Sequence, residues 1–146
     1  MIGIDTNLLV YAHRADAPQH QRAQASLRPA VEGELGPVGI PWPCIHEFLA
    51  VVTRPLWSAP MPIVDALESL RRVLAGPSVE ALAETSDHLS ILTELCPPEL
   101  AGGKVHDARI AAICTGHGVR ELWSADRDFG AFPGLRVRNP LADPAT

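Results

Sequence analysis

The chain has 146 residues, 47% of them hydrophobic and 20% charged, with a formal net charge of −5. That length suits one domain with its own core, the composition is globular, and no apolar run approaches the roughly 20 residues that span a bilayer. The acidic balance argues against a protein that holds nucleic acid on a broad basic patch, unless some acids are committed to cations that change the charge a substrate meets.

The opening Met1-Ile2-Gly3-Ile4-Asp5 carries no basic stretch and reaches an acid at once, so no secretory signal is expected and the cytoplasm is. Residues 1–5 read as a short buried strand ending in a carboxylate. Residues 18–27, behind Asp16 as a cap, read as a helix, and Val38–Pro41 as a second short strand. From Pro43 the pattern turns helical, with Ile45, Phe48, Leu49 and Val52 at i, i+3, i+4 and i+7. Ile63–Leu74 repeats it through Val64, Leu67, Leu70 and Leu74, a stripe that reads as core or dimer surface. Ser86 is placed to cap a further helix carrying Leu89, Leu92 and Leu95. Residues 105–114 put Val105, Ala108, Ala112 and Ile113 on one face, and Gly116 or Gly118 can end that helix. Residues 119–124 and 135–137 read as closing strands.

Prolines such as Pro29, Pro37, Pro60, Pro97 and Pro98 fall at apparent element ends, where a fixed φ and a missing donor do least harm. No repeat or linker interrupts the pattern. Strands separated by helices predict a single α/β domain with a mainly parallel sheet. Cys44, Cys96 and Cys114 are odd in number and widely spaced, which predicts buried thiols rather than disulfides or a zinc site.

Four acids stand out by position. Asp5 ends the first strand and Asp126 follows the strand closing near Ser124; ligands of open parallel sheets gather outside such carboxyl ends. Glu47 and Asp107 lie early in their helices, each about 200° around the wheel from an apolar neighbour, Ile45 and Val105. Clustered carboxylates repel and either take up protons or bind cations. Hard ions such as Mg²⁺ or Mn²⁺ prefer such oxygens. They orient a phosphodiester and activate water for in-line attack, which makes phosphodiester hydrolysis the implied chemistry. Taken singly, each acid has an ordinary reading: Glu47 at a helix start, Asp107 as an exposed helical acid, Asp126 and Asp128 in a turn, and Asp5 capping the backbone with Thr6 or Asn7.

Read together, the segments resemble a known family. Ile4-Asp5-Thr6-Asn7-Leu8-Leu9-Val10-Tyr11 is similar to the D-T-N-x-L-x-Y start of PIN-domain toxins. His46-Glu47-Phe48-Leu49 with Val52-Thr53 resembles their central acidic helix, and Val105-His106-Asp107-Ala108-Arg109-Ile110-Ala111-Ala112 the helix bearing a third acid. Trp123-Ser124-Ala125-Asp126-Arg127-Asp128-Phe129 resembles the T-x-D-x-D-F stretch that holds the fourth. Phe132-Pro133-Gly134-Leu135 and Asn139-Pro140-Leu141 look like the tail of VapC-type toxins. The resemblance implies a PIN-like three-layer α/β/α sandwich over residues 1–141, with 142–146 as a tail. It implies a Mg²⁺- or Mn²⁺-dependent endoribonuclease acting on structured RNA such as tRNA or ribosomal RNA, a homodimer, and a small VapB-like antitoxin whose tail covers the acidic pocket. Carried across by position, Asp5, Glu47, Asp107 and Asp126 become the metal-site acids, with Thr6, Asn7, Ser124 and Asp128 in support. Ser124 departs from the commoner threonine but keeps the hydroxyl. Asp128, two residues past Asp126, leaves open which acid lies nearer the metal; one- and two-metal chemistry also stay open.

Other motifs fall away. His46-Glu47 lacks the second histidine of H-E-x-x-H, Gly102-Gly103-Lys104 lacks P-loop spacing, and no G-x-S-x-G is present. A phosphatase using Asp5 as nucleophile wants a second acid where Asn7 stands. His106 is expected on another face from Asp107 in a structural role, and His20 in helix packing. Arg14, Arg54, Lys104, Arg109, Arg120 and Arg127 are candidate phosphate contacts, though each taken alone reads as a solvated surface charge. The alternative to a nuclease is a PIN-like module that only binds RNA or protein, which has no need of clustered negative charge.

Overall fold

The computed structural model describes residues 1–142. Five short strands, β1 (Ile2–Ile4), β2 (Val38–Pro41), β3 (Val79–Leu82), β4 (Glu121–Trp123) and β5 (Arg136–Arg138), form one sheet in the order β3-β2-β1-β4-β5. Every pairing is parallel. Six helices, α1 (Thr6–His13), α2 (His20–Val31), α3 (Trp42–Val52), α4 (Ile63–Leu74), α5 (His88–Leu95) and α6 (Lys104–Gly116), connect them, with a 3-10 turn at Arg127–Ala131. This is the α/β/α sandwich that parallel crossovers require, since helices must cover both faces of such a sheet.

Strand order decides where a site can form. From β1 the chain steps outward to β2 and β3, then returns past β1 to lay down β4 and β5. The direction of travel reverses between β1 and β4, and at that reversal the connections leave a crevice outside the strands' carboxyl ends. β1 is paired on both sides, Gly3 opposite Gly39 of β2 and Leu122 of β4. The core runs through it: Ile4, Ile40 and Leu122 from the sheet, Leu8, Phe48 and Ile113 from the helices, all fully buried.

Packing at the opposite, amino end of the sheet is equally close. Gly76, between α4 and β3, admits no side chain, because a Cβ there would stand 2.4 Å from the Val31 carbonyl oxygen and 2.8 Å from Val79 Cγ2.

Several expectations need correction. α2 runs to Val31 and contains Pro29 in its last turns rather than ending before it. Asp16 caps nothing; it takes the Arg14 guanidinium, with Nε 3.0 Å from Oδ1 and Nη2 2.7 Å from Oδ2. Arg14 is therefore buried and paired, not a solvated charge or a phosphate contact. Asp87, not Ser86, precedes α5. Val105 faces solvent at 49% exposure, and α6 instead buries Ala108 and the unbroken run from Ile110 to Cys114. A helix covered on most sides carries no clean apolar stripe. Leu70 is core while Leu67 is exposed, so that stripe is divided. All three cysteines are free, Cys44 and Cys114 buried and Cys96 half-buried. No described helix is long and apolar enough to cross a membrane. Of the expected tail 142–146, residues 143–146 lie outside the described residues.

Candidate metal centre

Four elements bring acids to the crevice between β1 and β4. Asp5 follows β1 directly, and its amide donates to the Trp123 carbonyl at 3.0 Å, which locks the end of β1 to the end of β4. Ser124, fully buried, donates its hydroxyl to Asp5 Oδ2 at 2.6 Å and accepts the Asp126 amide at 2.9 Å. One side chain thus ties together the two acids that end neighbouring strands. Asn7 adds a second tie: its Nδ2 lies 3.3 Å from Asp5 Oδ2, and its Oδ1 accepts the Ala125 amide at 3.2 Å. From α3, Glu47 reaches inward to accept the Thr6 hydroxyl at 2.9 Å.

Asp5, Glu47, Asp107 and Asp126 all line one cavity of about 260 Å³. Carboxylate oxygens of Asp107, Asp126 and Asp128 come within 4.8 Å of one another. Asp126 Oδ1 also accepts the Asp128 amide at 2.9 Å, so the turn that starts the 3-10 segment sets the spacing of the last two. Asp128 is the most exposed of them and holds Lys104 Nζ at 2.7 Å. Both acids of the Asp126/Asp128 pair therefore belong to the cluster, the inner facing the cavity and the outer facing a lysine.

Burial, above all, lifts the Asp5 carboxyl above its ordinary range; hydrogen bonds from Ser124, the Thr6 amide and Cys44 pull it down, and the charge of Glu47 pushes it up again. Asp107 is raised by burial and then by Asp126, against the pull of Lys104. Like charges held this close and partly out of water are relieved by a cation. The donors are hard oxygens, which fit Mg²⁺ or Mn²⁺. Cys44 Sγ lies 3.5 Å from Asp5 Oδ1 as a buried thiol, which burial, above all, pushes well above its ordinary pKa.

Nothing in the sequence pattern marked Cys44 as a neighbour of Asp5, or Tyr11 and Trp57 as walls of the cavity; burial and loop closure place them. His106 departs from expectation: it is exposed and shares with Asp107 a neighbouring cleft, lined also by His46, Glu47 and Arg109. His20 meets its expected packing role, with Nδ1 2.8 Å from the Tyr11 carbonyl.

The family model of the PIN domain matches residues 2–135. Ribonuclease VapC48 of Mycobacterium tuberculosis is 31% identical over 140 residues, covering 94% of this chain and 96% of the relative. Among solved structures, VapC20 of the same organism, described as a sarcin-ricin loop cleaving toxin, superposes with a TM-score of 0.66 at 19% identity, over 93% of this chain and 99% of its own. VapBC2 from Rickettsia felis, bound to a promoter DNA fragment, gives a TM-score of 0.68 at 17% identity, over 95% and 98%. The chain belongs to the PIN-domain family and, within it, to the VapC ribonucleases, the toxins of VapBC pairs.

Proposed function

We propose that the chain is a Mg²⁺- or Mn²⁺-dependent endoribonuclease that hydrolyses structured RNA, tRNA or ribosomal RNA, and that Asp5, Glu47, Asp107 and Asp126 hold the metal. The observation that carries this reading is the convergence of those four acids, from four separate segments, on one cavity. When bound, a divalent ion supplies neutralisation of the phosphodiester and a water acidic enough to attack it in line. The chain's own residues keep the site ready for that. Ser124 and Asn7 hold Asp5 in one rotamer, Thr6 does the same for Glu47, and Asp128 supports Asp126 through the turn they share. With water as the attacking group, no covalent enzyme intermediate is expected.

The partner of such a toxin is a small VapB-like antitoxin, and the similarity to VapBC2 supports such a partner; the antitoxin's tail would cover the acidic cavity. A homodimer in the cytoplasm completes it. The test is cleavage of total cellular RNA by antitoxin-free protein with Mg²⁺, with Mn²⁺ and with EDTA, beside Asp5→Asn purified identically. Discrete fragments that need both the metal and Asp5 support the proposal. Asp5→Asn that cuts as fast as wild type would falsify the site, and folded, metal-binding protein that never cuts RNA would leave a binding module.

A further inference from the structure

The acidic cavity has a second lining that phosphate chemistry does not use. Beside the carboxylates stand Trp57, Tyr11, Val51 and Phe129. Trp57 comes from the loop between α3 and α4, yet it is fixed like a core residue. Its indole N–H donates to the Val51 carbonyl at 2.9 Å. The Arg14 guanidinium lies 4.6 Å from the ring centroid. Arg14 is in turn buried, forked onto Asp16, and donates to the Ala59 carbonyl at 2.8 Å. Ser58 also donates to Asp16, at 3.1 Å, so the loop just past Trp57 is closed onto the end of α1 through both Ser58 and Ala59. The ring remains only half-buried, and what it leaves open borders the acids.

Resting on the nuclease reading, we propose that Trp57 is a specificity-determining residue: it stacks on a nucleobase next to the scissile phosphate, and so selects RNA whose base there is unpaired. Three observations converge. An aromatic wall beside carboxylates that would hold a divalent cation fits a ligand with a flat apolar part and an anionic part for that cation, which is a nucleotide. A ring already fixed by a cation on it and a carbonyl at its N–H loses little freedom when a base lands on it. And a chain with a net charge of −5 gains from an attraction that does not depend on phosphate contacts, since stacking is available to every base. In a duplex both base faces are already covered, so the same wall discriminates against paired RNA.

The test measures binding and cutting separately. A fluorescein-labelled single-stranded RNA and the duplex of the same sequence are titrated with wild type, Trp57→Ala, Trp57→Leu and Trp57→Phe, with Ca²⁺ in place of Mg²⁺ so that the strand is held and not cut. Far-ultraviolet circular dichroism checks the fold. Loss of the stacking face weakens single-strand binding by about 5- to 150-fold in Trp57→Ala and Trp57→Leu, while Trp57→Phe stays within about threefold. Duplex binding is unchanged in all three. Leucine keeps apolar bulk without a π-face, so a Trp57→Leu protein that binds like wild type overturns the proposal even where Trp57→Ala fails to fold. Equal losses on strand and duplex overturn it too. Wild type that binds the strand but never cuts RNA with Mg²⁺ or Mn²⁺ sinks the nuclease reading instead, and the ranking of the variants still decides the stacking role.

Discussion

The hydroxyl of Ser124 donates to Asp5 Oδ2 at 2.6 Å, across 119 residues of sequence, and Ser124 Oγ in turn accepts the amide of Asp126. A buried hydroxyl that donates to one acid and accepts beside another sets the distance between the two. Groups that orient metal-binding carboxylates in this way tune the site from behind.

Ser124→Ala leaves Asp5 without its shortest donor and the Asp126 amide without an acceptor. Cleavage falls by about 10- to 100-fold, with a matching rise in the Mg²⁺ concentration needed for half-maximal rate. Ser124→Thr restores the hydroxyl and most of the activity. Initial rates across a Mg²⁺ titration give both numbers, and a variant that loses rate at an unchanged metal requirement would contradict the orienting role.

Asp107 gives a pH-dependent stability that metal reverses. Its folded pKa is raised above the ordinary 3.8 by burial and by Asp126, so the folded chain binds that proton more tightly than the unfolded one. Its contribution to stability is then greatest at acid pH and falls as pH rises from 3.8 through the folded value. In EDTA at neutral pH, Asp107→Asn melts above wild type, because it lacks the charge that burial and Asp126 disfavour. Below pH 3.8 the gain disappears. With saturating Mg²⁺ the order inverts, because only wild type gains fully from the ion, by about 2.7 kcal/mol at a hundredfold excess over Kd. Melting curves at two pH values with and without Mg²⁺ check every step.

Arg14→Met removes the fork onto Asp16, the bond to the Ala59 carbonyl and the cation on Trp57, while keeping the stem packed. Asp16 is partly exposed and can rehydrate, which limits the loss to about 2 kcal/mol in urea unfolding. Arg14→Lys does not rescue, because an ammonium cannot make the two-pronged contact. Rescue by lysine would mean that charge alone matters there.

Gly76→Ala drives a methyl against the Val31 carbonyl at the amino end of the sheet. The expected loss is about 1–3 kcal/mol, read as a lowered urea midpoint. The acids lie at the other end, so the folded fraction cuts RNA with an unchanged kcat.

What could be read without coordinates followed physical rules of differing reach. Val38–Pro41 and Ile63–Leu74 were legible to the residue because an apolar run bounded by proline and a 3.6-residue period are local signals. The α1 helix was hidden: Thr6, Asn7 and Val10 suit other states as well, and their helix is fixed by packing on α2 and α3. The edge strand β3 buries only Leu82 fully and so alternates too weakly to be seen. In the site, the strand ends at Asp5 and Asp126 and the wheel positions of Glu47 and Asp107 pointed toward the one cavity that all four line. Trp57 was not legible, because its place depends on the loop closed by Arg14, a cation that looked like any surface arginine until its partners were known.

The central position of β1 has a consequence for how the molecule comes into being. Its three residues precede the other described strands in the sequence, yet one of their two neighbours, β4, begins at Glu121. Until that strand emerges, β1 is an open edge, and Asp5 has neither the Ser124 hydroxyl nor the Trp123 carbonyl to hold it. Contacts this distant in sequence form late, because loop closure must come before they can contribute. A chain that stops short of Glu121 thus carries the first acid but not the centre, and assembly of the site waits for β4 and Ser124.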